Sequence, residues 1–247
     1  MSDKRFARTQ MLLGKDGITK LNKATIMIIG LGAVGGYVLE ALARSGIGNF
    51  ILVDFDSFDE SNINRQILAL GETLGMKKTD VAKQRVLSIN PMAKITTIDT
   101  FVNNETIADL LAHNPDFAVD AIDSLNPKCC LIQALIEHDI PFISSMGAAL
   151  KTDPSKIKFG NLSNSKNCSL AKFVRKRLRK RNIDISKIKS VWSEEQISLP
   201  DQAIAIDETT SEGSRIRHTL GSLPTITAIF GLTIANEIIL NISGYKK

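Results

Sequence analysis

The chain has 247 residues, 43% of them hydrophobic and 23% charged, which is the composition of a soluble globular protein with room for one large α/β domain. The polar opening MSDKRFARTQ has no apolar stretch behind it, which argues against a signal peptide; three cysteines without a CxxC spacing offer neither a disulfide framework nor a zinc site, so a reducing cytoplasm is the expected home. A net charge of +5 is too moderate to demand nucleic acid, so where the charges lie matters more than their sum.

Residues 5–23 read as an N-terminal arm and short helix, with Met11, Leu12, Ile18 and Leu21 as apolar contacts and Gly14 and Gly17 as breaks. Two apolar runs, at 25–29 and 50–53, are expected to be neighbouring parallel strands. Between them Val34, Val38, Ala41, Leu42 and Ser45 recur at helical spacing, completing a β-α-β unit. Gly30, Gly32 and Gly35 fall where a GxGxxG pattern has meaning, directly after a strand and at a helix start. Their missing side chains permit a tight turn and let an anion approach backbone N–H groups at the positive end of the helix.

Further along, Val81, Ala82, Val86 and Ile89 share one face of a helix over 77–90 that Pro91 stops; a strand at 94–99 and a helix at 104–113 follow. The run 117–121 is a buried strand leading to Asp120 and Asp123, then come a helix over about 127–138 and a strand at 141–145. In an open α/β sheet ligands bind beyond the carboxyl ends of the strands, so residues 30–35, Asp54, Asp123 and 144–147 are expected to converge. From about 150 the pattern changes. Residues 156–159 alternate like a strand, and Leu170, Ala171, Val174 and Leu178 mark one face of a helix whose other faces are basic. Residues 201–217 are polar and aperiodic and read as a loop, and the apolar stretch 223–242 is as long as a membrane span. Asn236 and Glu237 within it favour a buried core helix, so no stable membrane span is expected. One domain, 1–247, is the expectation, with a nucleotide-binding core to about 150 and an extension beyond.

Two nucleotide readings stand on these residues. Asp54, at the end of the second strand, suits the ribose hydroxyls of a dinucleotide in an NAD-dependent oxidoreductase. That leaves DFD and SNINR without a task, whereas Arg65, a permanent cation with a bidentate fork, suits a triphosphate.

The motifs GLGAVGG, VDFD, SNINRQ, GMKKTDVAKQRVLSINP and VDAIDS, in that order, resemble the ThiF/MoeB/HesA superfamily, relatives of ubiquitin-activating enzymes that adenylate carboxylates with ATP. The likeness covers nearly the whole chain, and SMGAALKTDPSKIKFGNLSNSKNCSLAKFVRKRLRK is similar to the branch that dehydrates threonylcarbamoyladenosine in tRNA. The resemblance implies a Rossmann-like, mostly parallel sheet flanked by helices, with a C-terminal α+β extension that ends in a buried helix. It implies ATP and Mg²⁺ as cofactors, with Gly30, Gly32, Ala33 and Gly35 at the phosphates and Asp54 at the ribose. Arg65 and Lys78 fall to the triphosphate, Asp123 to the magnesium ion and the adenylating centre, and Asp56 and Asn64 to support of the same loop. Lys78 rather than Lys77 is chosen because it stands immediately before Thr79. Arg8 is implied to reach the ATP site of a neighbouring subunit in a homodimer.

Ser124, where asparagine is usual, and Lys128, where arginine is common, depart from the pattern. The implied reaction is adenylation of the carboxylate on adenosine 37 of tRNA, followed by ring closure with net loss of water. The alternative is an adenylyltransferase that activates the C-terminus of a ubiquitin-like sulfur carrier for thiamine or molybdopterin synthesis; a non-catalytic nucleotide- or RNA-binding scaffold is a third reading. The absence of paired CxxC motifs and the basic stretch with Lys172, Arg175, Lys176, Arg179 and Lys180 favour tRNA over the carrier. The resemblance leaves open a sulfur-relay protein as a further partner. Cys168, ahead of that basic run, has surroundings that could activate a thiol, but inert packing is expected of it, as of Cys129 and Cys130. His113, His138 and His218 are scattered without ligand spacing.

Overall fold

A computed structural model describes residues 4–197, 206–209 and 216–245. Helix α1 (Ala7–Lys23) leads into β1 (Thr25–Ile29), α2 (Gly35–Ser45) and β2 (Asn49–Val53), the β-α-β unit of the glycine motif. Helix α3 (Lys78–Ile89), β3 (Lys94–Ile98), the short α4 (Ile107–Leu111), β4 (Phe117–Asp120), α5 (Leu125–Glu137) and β5 (Phe142–Ser145) continue the alternation. The extension supplies β6 (Ile157–Asn161), α6 (Ser169–Lys180), β7 (Lys189–Ser193), β8 (Ile206–Thr209), β9 (Ile216–Thr219) and α7 (Pro224–Ser243).

Seven strands form one sheet in the order β3-β2-β1-β4-β5-β7-β6, parallel except for β6, which pairs antiparallel with β7 at an edge. Both faces of the central strands are covered, which is why β1 is apolar and buried from Ile26 to Ile29 rather than alternating. Ile26 and Ile28 join Phe50, Leu52 and Val119 beneath Val38, Leu42, Val81 and Phe230, whereas Met27 and Ile29 join Ile51, Val53 and Ala118 against Leu110, Leu131 and Leu135. A third cluster, with Cys129, Ile132, Val174, Leu178 and Trp192, seats α6 on α5 and β7. Between α2 and α3, the Glu40 carboxylate accepts from Arg85 Nε at 2.8 Å. Burial raises the Glu40 pKa, but hydrogen bonds from Arg85 and Arg44 outweigh that and hold it below the usual value.

Several expectations are corrected. Gly14 leaves the helical region (φ 77°, ψ 171°) and kinks α1, but Gly17 stays helical and buried, close under Ser243. Met11 and Leu12 are 84% and 67% exposed, because the kink separates their half of α1 from the half that buries Leu21. The helix expected over 104–113 is only α4, since the Asn103 side chain accepts the N–H groups of Glu105 and Thr106 and holds a turn ahead of it. Strand β7 carries no periodic signal of its own; only its pairing partners β5 and β6 define it. Across the expected loop at 201–217 and the two residues after it, β8 and β9 pair antiparallel from Ile206↔Thr219 to Thr209↔Ile216, a match invisible within either run. The rest of that expectation, at 201–205 and 210–215, lies outside the described residues.

Helix α7 is long and apolar enough to cross a membrane, yet it buries Ile226, Phe230, Ile234 and Ile238 against the core, as expected of a core helix. It crosses α2 at Gly231, where a Cβ would lie 2.6 Å from the Val34 carbonyl oxygen and 2.7 Å from Tyr37 Cβ. Alanine in place of a helical glycine ordinarily adds about 1 kcal/mol of stability. Here overpacking dominates, and Gly231→Ala is expected to lose about 1–3 kcal/mol. Urea unfolding of the variant checks this, and a gain in stability would contradict so close a crossing.

Candidate functional site

Strand order reverses its direction of growth between β1 and β4, so a crevice opens beyond their carboxyl ends. On one side stands the glycine turn. Gly30 takes φ +90°, and a Cβ on it would meet the Ala121 carbonyl oxygen at 2.8 Å; a Cβ on Gly35 would come within 1.8 Å of the Gly30 carbonyl oxygen. Gly32 is different: the nearest atoms to a Cβ there belong to the Gln66 side chain, 3.7 Å away. No protein atom forbids a side chain at Gly32, which fits a position kept bare for a ligand. Ala33 lies in the same turn, immediately before the Val34 cap of α2.

Asp54 closes β2 and is buried. Its Oδ2 accepts the Leu31 N–H at 2.6 Å and its Oδ1 the Asp56 N–H at 2.9 Å, so the carboxylate ties the glycine turn to the DFD loop. Burial raises the Asp54 pKa, and the Lys78 charge and those two N–H groups oppose the rise. Each oxygen keeps a second lone pair for a hydroxyl donor. Lys78, at the first turn of α3, is buried along its stem and forms a 3.0 Å ion pair with Asp56 Oδ2. Lys77 turns away to Asp99 at 3.1 Å and to the Phe55 carbonyl. Asp54, Asp56 and Lys78 therefore form one cluster.

Arg65 is half-buried and held by its own loop, donating from one guanidinium nitrogen to the Ser61 carbonyl and to Asn64 Oδ1, both at 2.8 Å. Asn64 in turn donates to the Ser222 carbonyl at 3.2 Å, which brings the segment before α7 to this loop. Asp123 is exposed on the turn after β4, and Ser124 Oγ donates to it at 3.2 Å. Serine thus supplies a hydrogen bond to the aspartate even though it departs from the family pattern. Residues 144 and 145 also reach this edge but are buried. Arg8 lies exposed in the first turn of α1.

In the extension, Lys172, Lys176, Arg179 and Lys180 are exposed on α6, as a basic surface requires. Arg175 is not among them: its guanidinium donates to the Ser165 carbonyl at 2.8 Å and makes a short contact with Ser165 Oγ, fastening α6 to the loop after β6. Cys168 is the N-cap of α6, its buried sulfur accepting the Ala171 N–H, in keeping with packing rather than chemistry. Cys129 is buried in the core, and burial pushes its thiol pKa up. Among the described residues no group of three His, Cys, Asp or Glu could hold a metal by itself. Two features escaped the sequence reading: the Phe55–Phe101 edge-to-face pair at 5.0 Å beside the ends of β2 and β3, and a buried Lys128–Asp120 pair. A lysine on the apolar face of α5 was the available signal for the second.

A family model described as the ThiF family matches residues 6–247. The chain belongs to the ThiF family. Among ThiF relatives, the tRNA threonylcarbamoyladenosine dehydratase of Bacillus subtilis (strain 168) is 33% identical over 241 residues, covering 96% of this chain and 94% of the relative. The enzyme of the same name from Haemophilus influenzae is 35% identical over 244 residues, covering 96% and 92%. A molybdopterin-synthase adenylyltransferase from the same organism is 34% identical but over 138 residues, 56% of each chain. Among solved structures, the E. coli tRNA N6-threonylcarbamoyladenosine dehydratase in complex with ATP superposes with a TM-score of 0.86 at 29% identity, covering 98% of this chain and 94% of that one.

The glycine geometry makes a ThiF-family nucleotide turn testable without any substrate. Gly35→Ala places a methyl group inside contact distance of the Gly30 carbonyl and must open the turn. ATP binding measured by calorimetry is expected to weaken at least about tenfold, in line with loss of close backbone approach to the phosphates; unchanged affinity would place the nucleotide elsewhere.

Proposed function

We propose that this protein is an ATP-dependent dehydratase that acts on threonylcarbamoyladenosine 37 of tRNA. The observation that carries the reading is coverage. The Bacillus subtilis dehydratase matches 96% of the chain, through the extension with its basic helix, whereas the Haemophilus influenzae molybdopterin-synthase adenylyltransferase matches 56%. The E. coli dehydratase structure that this chain resembles is a complex with ATP, which favours ATP over a dinucleotide.

A carboxylate oxygen of the modified nucleoside attacks the α-phosphorus of ATP; the bond between the α-phosphorus and the bridging oxygen breaks, and pyrophosphate leaves. The carbamoyl group of the same nucleoside then attacks the acyl carbon and releases its N–H proton to solvent as the acyl–phosphate bond breaks and AMP leaves, so the substrate has lost the elements of water. The chain's part is positioning and charge. The glycine turn presents N–H groups to the phosphates, Asp54 accepts from the ribose hydroxyls, and Lys78 and Arg65 supply positive charge along the triphosphate. Asp123, a single exposed carboxylate beside the phosphate turn, fits Mg²⁺, which is commonly held by one or two carboxylates plus substrate phosphates. When bound, that ion would neutralise charge on the leaving pyrophosphate. Lys172, Lys176, Arg179 and Lys180 face the phosphate backbone of tRNA. Arg8 completes the site of a second subunit in a symmetric homodimer, where a guanidinium from the partner adds charge as the phosphoryl group is transferred. A cytoplasmic setting and a sulfur-relay partner belong to the same reading.

Incubation with ATP, magnesium and tRNA carrying the modification, followed by nucleoside mass analysis, is expected to reveal loss of water from the modified adenosine. In the same assay Asp123→Ala is expected to bind ATP and form no product; full turnover by that variant would remove Asp123 from the chemistry.

The RNA surface makes a separate prediction. Reversing charge at Lys176, Arg179 and Lys180 should weaken tRNA binding, make it less sensitive to salt, and leave ATP binding unchanged. Filter binding across a salt series measures this, and equal affinities at every salt concentration would exclude α6 from the RNA interface.

A further inference from the structure

Lys128 and Asp120 are wholly buried, and no step described above uses them. Lys128 Nζ donates to Asp120 Oδ2 at 2.7 Å, Ser145 O at 2.9 Å and Ser144 Oγ at 3.3 Å, which spends all three ammonium protons. Ser144 Oγ donates to the same Asp120 oxygen at 2.5 Å, and Asp120 Oδ1 accepts the Ile122 N–H at 3.1 Å. The network is closed. It joins the last residue of β4, the first half of α5 and the last two residues of β5 at the carboxyl edge of the sheet.

We propose that Lys128 is a positioning residue of the adenylation site, acting through Asp120 to fix the turn that carries Asp123. The proposal rests on the functional reading above and adds to it a group that never touches substrate. Ala121 to Ser124 form the bridge between Asp120 and α5. Within it, one carboxylate oxygen of Asp120 pins Ile122 while the Ala121 carbonyl lies against Gly30. Asp123 is thereby set at a fixed offset from the phosphate turn, as the residue that directly follows the pinned Ile122 amide. A buried ion pair is a poor source of stability, since apolar residues of similar volume often serve as well or better. Its geometry is another matter: an ammonium with three acceptors in three directions fixes a carboxylate in a way an apolar pair does not.

That contrast supplies the test. Lys128→Met alone strands a buried carboxylate and is expected to destabilise the protein, so the informative variant is Asp120→Asn combined with Lys128→Met, which removes both charges. It is expected to regain most of the lost thermal stability and to bind ATP like the wild type, because the glycine turn and Asp54 are untouched. Its kcat for dehydration is expected to stay low, on the order of 100-fold down, the loss that a misplaced catalytic group produces. Amide exchange at Ile122 is expected to quicken in the same variant, a readout that needs no tRNA. Ser144→Ala keeps both charges and therefore serves if the double variant does not fold; its kcat is expected to fall several-fold with ATP affinity held, as for one lost hydrogen bond. Wild-type kcat in the folded double variant, or in Ser144→Ala, would overturn the positioning role. So would unchanged exchange at Ile122, whatever the activity proves to be. A wild-type protein that leaves the modified nucleoside intact would instead count against the dehydratase reading, and the exchange measurement would still decide the role of the pair.

Discussion

The bond from the Leu31 N–H to the buried Asp54 carboxylate, 2.6 Å long, is the constraint from which the nucleotide site hangs. It joins the turn after β1 to the end of β2, and through the second carboxylate oxygen it shapes the DFD loop that holds Lys78. A carboxylate in this position is expensive, as the upward push of burial on its pKa records. Backbone N–H groups and a nearby ammonium offset that cost, and they do so at the place where a parallel sheet leaves its crevice. The fold and the site are therefore one solution: parallel strands need crossover helices, crossover helices bring positive N-termini to the carboxyl edge, and Asp54 sets the height at which the first of them begins.

Most of this was legible in the residues. Short apolar runs between glycines marked β1 and β2, and the positions of Val38 and Leu42 placed α2, because local periodicity and burial coincide in a β-α-β unit. Residues 54, 56 and 78, which only the family resemblance assigned to one site, lie together because two of them leave the end of one strand and the third opens a helix beside it. What stayed hidden depends on distant partners. Strand β7 exists because β5 and β6 flank it, the β8–β9 pair because two unremarkable runs match in register, and Lys128 because Asp120 and two serines close around it. Lys128 looked like a mild departure from a family pattern; only its burial reveals how it is used. Arg175 misled in the opposite sense, for a basic stripe in a sequence does not say which member turns inward to anchor the helix.

Two regions of opposite character result. The crevice is lined with carboxylates held by backbone N–H groups and a few cations, an arrangement suited to a compact, multiply charged ligand. The outer face of α6 carries cations without matching carboxylates on the same helix, suited to an extended polyanion. Cys168 stands where they adjoin: it caps α6, and its thiol lies 3.9 Å from the Gly147 carbonyl just past β5. The packing of that cap relates the basic helix to the carboxyl edge of the sheet.

The two most widely separated helices meet. Gly17 of α1 lies under Ser243 of α7, and the Lys20 ammonium reaches the Ser243 carbonyl at 3.4 Å across 223 positions of sequence. During synthesis α1, β1 and α2 leave the ribosome long before their covering helix exists, with Leu21, Val38 and Leu42 still lacking Phe230 and Ile234. Domains of this connectivity complete their core late, and the incomplete chain exposes apolar surface in the meantime. Termination ahead of α7 would leave Leu21, Val38 and Leu42 without the side chains that cover them in the complete fold.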